Sequence, residues 1–187
     1  TTLSPAGEIL HKSDFARIVF GSLADYPPTP RAQAVLSDFA GVSGSANFSS
    51  RLMDPVDQAL WEKWMMIGTL AGITCLMRGA TGDVKAAKEG RELTEELLQE
   101  AIAVATEHGY PPNPEWLVGA RKLLMAHGST FMASMLRDIE KGNPIEADHI
   151  VGDMYRRAHE DGHDANVLRM VYCHLQAYQA RRARGGL

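Results

Sequence analysis

Between Trp64 and Met77 the chain carries no charged side chain, and its apolar residues are spread around a helix rather than along one face of it. A helix that is apolar all round must be enclosed by other helices. The fold is therefore expected to be mainly α, with this segment as its spine. The segment is too short to cross a bilayer, which takes about 20 residues, and Gly68, Thr69, Gly72 and Thr74 interrupt it. Gly68 and Gly72, one turn apart, would let a neighbouring helix approach closely. Lys63 stands at the foot of the run and has two readings. A buried ammonium would be costly without a purpose, and desolvation eases its proton exchange near neutrality; alternatively the stem lies along the surface with its head in water.

The rest of the chain supplies the enclosing helices. Asp54 as N-cap, Pro55 at the first position and Asp57 at the positive end of the dipole are expected to open the spine. A second helix is expected from Asp83 to His108, burying Leu93, Leu97, Ala101 and Val104 and ending at Gly109 before Pro111, Pro112 and Pro114. Asn113 and Pro114 start a third, reaching His127. Ser129 to Lys141, closed by Gly142, makes a fourth. A fifth covers Ile145 to Glu160 with Ile150, Val151, Met154 and Ala158 on one face. The sixth runs from Asp164 to Arg182 with Leu168, Val171, Tyr172, Leu175 and Tyr178, leaving Arg181 to Leu187 as a frayed tail.

Ahead of the helices lie strands. Ser4, Pro5, Ala6 and Gly7 read as the turn of a hairpin from Thr1 to His11, and Arg17 to Gly21 reads as a further strand. Thr29 and Pro30 cap and start a helix expected to bury Val35, Leu36 and Phe39. Ser45 to Ser49 is expected as one more short strand. So few strands make no closed core, so they are expected to be the tail of a larger sheet whose earlier strands precede Thr1. Residues 1–50 then form the end of one domain and residues 51–187 an all-helical domain.

Composition narrows the chemistry. With 187 residues, a formal charge of -4 and 45% hydrophobic content, the chain suits a soluble globular protein, without the basic excess that attracts nucleic acid. Neither a targeting segment nor a membrane span is read. Cys75 and Cys173 lie in apolar helical patterns and are expected as reduced, buried thiols, which points to the cytoplasm. His159, Glu160 and His163 spell H-E-x-x-H, a zinc-protease signature that requires a continuous helix; Gly162 is expected to end the helix there and make the histidines a polar helix end, so no metal is assigned. Neither G-x-G-x-x-G nor G-x-x-x-x-G-K occurs, nor a G-x-S-x-G elbow.

Two segments remain. Ser134 to Asp148 reads S-M-L-R-D-I-E-K-G-N-P-I-E-A-D, followed by Ile150 and Gly152, and W-E-K-W surrounds Lys63. Together with L-x-P-x-G-x-I at Leu3 to Ile9, they closely resemble the ketopantoate reductases (2-dehydropantoate 2-reductases), over essentially the whole chain. The resemblance implies a helical C-terminal domain of the type shared with 6-phosphogluconate dehydrogenases, preceded by the last strands of a Rossmann-type domain. It also implies NADPH and a 2-keto acid held between the two domains. The family's catalytic lysine falls on Lys63, its substrate-contacting serine on Ser134 and its cofactor-contacting glutamate on Glu146. Read from the residues alone, Glu146 is a first-turn dipole partner and Ser134 a mid-helix serine bonded to its own backbone.

Departures bear on the substrate. The family's substrate-binding asparagines fall on Ile67 and Ala71, which donate no hydrogen bond, another asparagine falls on Val151, and the proline expected after Gly162 is missing. Loss of a polar recognition group costs discrimination heavily, so the reductase class is better supported than ketopantoate itself and the pantothenate pathway. The expectation is the substrate-side domain of an NADPH-dependent 2-keto acid reductase, active as a homodimer. The alternative is a non-catalytic helical dimerisation module derived from that family.

Overall fold

The structure, a computed structural model, describes residues 2–10 and 16–186; Thr1, His11 and Leu187, which end the expected hairpin and tail, lie outside them. The chain divides into two compact units, Thr1–Leu60 and Trp61–Leu187.

In the first unit the turn-forming residues do what their chemistry dictates. Strands β1 (Thr2–Leu3) and β2 (Ile9–Leu10) pair antiparallel, Thr2 with Leu10 and Leu3 with Ile9. The Gly7 N–H donates to the Ser4 carbonyl at 2.9 Å, and Gly7 takes the positive φ of +82° that the turn needs. Strand β3 (Arg17–Phe20), helix α1 (Pro30–Ser43) and strand β4 (Ser49–Leu52) form a strand–helix–strand unit. Its strands are parallel, with Arg17 opposite Ser49 and Phe20 opposite Leu52; parallel neighbours require such a crossover. Thr29 caps α1, its hydroxyl accepting the Ala32 N–H at 3.2 Å.

Three expectations for this unit change. The strand expected at Ser45–Ser49 forms at Ser49–Leu52, because the chain after α1 stays in turns, with the Ser45 N–H on the Val42 carbonyl and the Ala46 N–H on that of Ser43. Val35 and Phe39 are not buried but 60% and 41% exposed; two strands offer α1 too little surface to cover both, although Phe39 meets Phe20 edge-on at 4.7 Å. Asp54 does not cap the spine helix. Its carboxylate accepts the Ser22 hydroxyl, the Asp54–Pro55 peptide is cis, and helix α2 begins at Asp57, whose own carboxylate accepts the Ala24 N–H at 2.8 Å. Tertiary partners outcompete the local cap.

The second unit is built around α2 (Asp57–Met77), in which Met65 and every residue from Gly68 to Cys75 are buried. Around it lie α3 (Thr81–Ala86), α4 (Gly90–Glu107), α5 (Pro114–Leu124), α6 (Ser134–Glu140), α7 (Asp153–Glu160) and α8 (Asn166–Ala183), with a π-helical turn at Asp148–Gly152 leading into α7. Leu97, Val151, Leu168, Val171 and Leu175 are fully buried, each side chain contributing about 1.5–3 kcal/mol by leaving water. The two α2 glycines seat this packing: a β-carbon on Gly68 would lie 2.9 Å from the Met154 methyl of α7, and one on Gly72 would lie 2.8 Å from Leu97 of α4. Both glycines are thus occupied within the chain and offer nothing to a partner.

Helix boundaries shift where a specific contact overrides propensity. The helix expected from Asp83 to His108 breaks at Glu89, which has φ +63°, because Gly90 folds back onto the Val84 carbonyl. The fourth begins at Ser134 rather than Ser129, since the carbonyls of Ser129 and Phe131 accept the N–H groups of Gly82 and Thr81 at 3.0 and 2.9 Å. The third ends at Leu124, short of His127. Arg181 and Arg182 belong to α8 and not to a frayed tail; the Arg182 side chain donates to the Gly142 carbonyl at 2.8 Å. Cys75 is buried as expected, its thiol pushed up to about 12 by burial, whereas Cys173 is exposed. Among the described residues no helix is long and apolar enough to cross a membrane.

The glycine contacts separate two substitutions by sign. A β-carbon on Gly82 would meet the Ser129 backbone at 2.4 Å, which cannot retreat, so Gly82→Ala is expected to destabilise by about 1–3 kcal/mol. At Gly68 only the mobile end of Met154 is displaced, and the roughly 0.5–1 kcal/mol helical advantage of alanine offsets it. Urea unfolding of the two variants checks the difference.

Candidate active site

Lys63 is placed by its neighbours. Two positions before it, the Trp61 ring stacks on His108 and Tyr110, with centroids 5.3 and 5.4 Å apart, and lies 5.2 Å from Trp64. The Arg157 guanidinium sits over both indoles at 5.7 and 5.6 Å, a cation–π arrangement. Glu62 accepts both the backbone and the side-chain N–H of Asn113, at 3.0 and 2.6 Å. The residues on either side of Lys63 thus fasten α2 to α7 and to the α4–α5 connection. Lys63 itself is exposed, so the water-facing reading of its side chain holds, and its ammonium stands in no ion pair among the described residues.

From Lys63 one edge of α2 continues through positions 67 and 71, one and two turns on. Ile67 is half-buried and Ala71 buried. Farther along, the Thr74 hydroxyl accepts the Ala133 N–H at 3.4 Å and donates to the Leu70 carbonyl at 2.6 Å. That contact seats the start of α6, whose first residue is the exposed Ser134. Ser134 is therefore a first-turn residue rather than a mid-helix one. Thr74 is about 16 Å along the axis from Lys63, so Lys63 and Ser134 lie near the same helix without meeting.

Glu146 is exposed just before the π-helical turn, and its carbonyl accepts the Ile150 N–H at 3.1 Å. The turn is held from two helices. The Trp64 indole N–H of α2 donates to the Ile150 carbonyl at 2.9 Å, and the Tyr172 hydroxyl of α8 donates to the Asp148 carboxylate at 2.7 Å. That carboxylate pushes the Tyr172 hydroxyl above its ordinary range. Gly152 packs on the Tyr172 ring, where a β-carbon would come within 2.7 Å. Trp64, the residue after Lys63, thereby reaches the Glu146 backbone by two consecutive hydrogen bonds through Ile150. π-Turns of this kind occur often at functional positions.

Elsewhere the polar groups are structural. The half-buried Glu100 carboxylate accepts the N–H groups of Val167 and Leu168 at 2.9 and 2.7 Å, closing the open start of α8; burial pushes its carboxyl above the usual range despite those donors. The H-E-x-x-H residues do not share a helix, since α7 ends at Glu160 and Gly162 has φ +76°. Among the described residues no group of three or more potential ligands could hold a metal. Trp64 and Tyr172, read from the sequence only as members of apolar helical patterns, support the site through their polar edges. W-E-K-W marked the first, but nothing local marks Tyr172, whose partner is 24 positions away.

Residues 55–179 match the family described as the C-terminal region of the PanE/ApbA ketopantoate reductases, so the chain belongs to the ketopantoate reductase family of oxidoreductases. It is 31% identical over 182 residues to an uncharacterised oxidoreductase, YkpB, of Bacillus subtilis, covering 97% of this chain and 58% of that protein. It is 26% identical to a dimeric ketopantoate reductase of Staphylococcus aureus, with TM-score 0.68 over 79% of this chain and 52% of that one. D-mandelate dehydrogenase, solved with NADH and anilino(oxo)acetate, shares the fold at 14% identity and TM-score 0.76, over 97% of this chain and 72% of that one. The chain thus spans little more than half the length of the first two.

Burial works against the charge of Asp153, but the Arg157 and Arg156 guanidiniums, at 3.1 and 2.9 Å, hold its carboxyl below the usual 3.8. The folded pKa being lower than the unfolded one, this pairing stabilises above that value and is lost as pH falls below it. Wild type is therefore expected to exceed Asp153→Asn in stability at pH 7 and to lose that margin on acidification below 3.8. Urea unfolding followed by tryptophan fluorescence at the two pH values measures it.

Proposed function

We propose that this chain is the substrate-side domain of an NADPH-dependent 2-keto acid reductase. Residues 51–187 would form that domain, and residues 1–50 the last strands and helix of the nucleotide-binding domain. The observation that carries the reading is the exposed Lys63 just before the buried stretch of α2, next to Trp64, which bonds the turn that follows Glu146. An ammonium so placed donates a proton to the oxygen of a 2-keto acid as the carbonyl carbon receives hydride, giving the 2-hydroxy acid and leaving a neutral amine to be reprotonated from water. Before that transfer the same charge stabilises the developing alkoxide.

NADPH, when bound, supplies the hydride. The residues present fit one part of it: the exposed Glu146 carboxylate accepts hydrogen bonds from sugar hydroxyls. They do not fit its phosphates, since the chain has no glycine-rich phosphate loop, and the parallel strand–helix–strand unit of β3, α1 and β4 would belong to the nucleotide-binding domain. Ser134, at the first turn of α6, is a substrate contact only by the resemblance, and about 16 Å along α2 from Lys63 it does not share the reacting carbonyl. Ile67 and Ala71 favour a branched, apolar 2-keto acid over ketopantoate. A homodimer in the cytoplasm completes the reading, supported by the dimeric relative and by two free thiols.

In the full-length protein Lys63→Ala is expected to lower kcat for a branched 2-keto acid by roughly a hundredfold or more while leaving NADPH affinity nearly unchanged, because a proton donor matters mostly in the transition state. Near-normal turnover would make the lysine structural and favour the non-catalytic module instead. Ile67→Asn is expected to move specificity toward ketopantoate, because an amide one turn from Lys63 adds a hydrogen-bonding group to the same edge. Steady-state kinetics on a panel of keto acids reads both.

A further inference from the structure

We infer that Trp64 and Tyr172 are positioning residues that clamp the π-helical turn from α2 and α8 and so hold Glu146 in register with Lys63; this rests on the reading of Glu146 as a cofactor contact. Neither side chain belongs to the proposed chemistry. Both spend their polar groups on the same five-residue turn, Asp148–Gly152. The Trp64 indole N–H donates to the Ile150 carbonyl at 2.9 Å, and the Tyr172 hydroxyl donates to the Asp148 carboxylate at 2.7 Å. Ile150 is also the residue whose N–H takes the Glu146 carbonyl at 3.1 Å, so the clamp reaches the glutamate by two consecutive hydrogen bonds.

The backbone geometry explains why a clamp is needed here. In a π-turn the hydrogen bonds skip a residue, as when the Asp153 N–H reaches back to the Asp148 carbonyl, and such turns are rare, so the two side-chain bonds add support that a regular helical turn does without. Gly152 lets the Tyr172 ring lie flush on the turn; any larger residue would meet the ring at 2.7–2.9 Å. The tyrosine is itself steadied by Tyr155 of α7, with centroids 5.9 Å apart. The segment bearing the exposed Glu146 carboxylate is thereby fixed to α2 and α8.

The test is a double-mutant cycle in the full-length enzyme with NADPH as the probe. Tyr172→Phe removes the bond to Asp148 and keeps the ring on Gly152. It is expected to raise the NADPH KM about fivefold to tenfold, as the net loss of one ordinary hydrogen bond implies, with kcat within about twofold. In a Glu146→Gln background the same change is expected to add little, because its route runs through the glutamate. Trp64→Phe serves as the second probe of the clamp, and Asp148→Asn, which still accepts from the tyrosine hydroxyl, is expected to retain most of the affinity. Equal effects of Tyr172→Phe in both backgrounds, or no effect on KM in either, would overturn the clamp while leaving Glu146 as a contact. If Glu146→Gln alone leaves the NADPH KM unchanged, the reading of Glu146 fails and the clamp's role fails with it.

Discussion

The enclosure of α2 is the constraint on which everything else depends. A helix without a polar face must be surrounded, and α4, α7 and α8 supply the contacts through Leu97, Met154 and Val171 against its glycines. Enclosure leaves few places where such a helix can carry a polar group. Lys63 falls just before the buried stretch, where the helix emerges toward solvent, flanked by Trp61 and Trp64, which turn inward. A reactive ammonium is best held this way: its backbone belongs to the best-packed element of the unit and its head remains accessible.

The same packing organises the turn with Glu146. Trp64 belongs to α2 and Tyr172 to α8, so the turn inherits the rigidity of the core without being part of it. Arg157 adds a second tie, because Asp153 at the head of α7 holds it against both tryptophans. Positioning here comes mainly from aromatic rings with polar edges. Such rings pack with the apolar core while reaching a carbonyl or a carboxylate at its border.

Most of this architecture was legible in the sequence because it follows from patterns with a single physical solution. The apolar run from Trp64 to Met77 could only be an enclosed helix, and Thr29–Pro30 or Asn113–Pro114 could only begin one. What failed were the features decided by distant partners. Asp54 is a good cap by local rules, yet Ser22 claims its carboxylate. The stretch from Ser129 to Ala133 has no helix-breaking residue apart from its leading Gly128, yet Thr81 and Gly82 pair with its carbonyls and keep it extended. Val35 and Phe39 form a plausible buried face, yet the two strands beside them are too narrow to cover it. For the site, Lys63, Ser134 and Glu146 are candidates that motif resemblance supplies. The structure adds exposure and anchoring to that list, and it separates Ser134 from Lys63 along α2. The link between Lys63 and Glu146 was invisible, because a tryptophan N–H and a carbonyl 86 positions away leave no joint signature in one sequence.

The central claim is that the enclosed helix presents Lys63 to the reacting carbonyl. A crystal structure of the full-length protein with NADP and a branched 2-keto acid tests it most directly. The account predicts the Lys63 ammonium within hydrogen-bonding reach of the keto oxygen, about 2.6–3.2 Å, with Glu146 on the cofactor and Ile67 against the acid's apolar branch. A keto oxygen held by other groups, with Lys63 pointing to solvent away from both ligands, would contradict it.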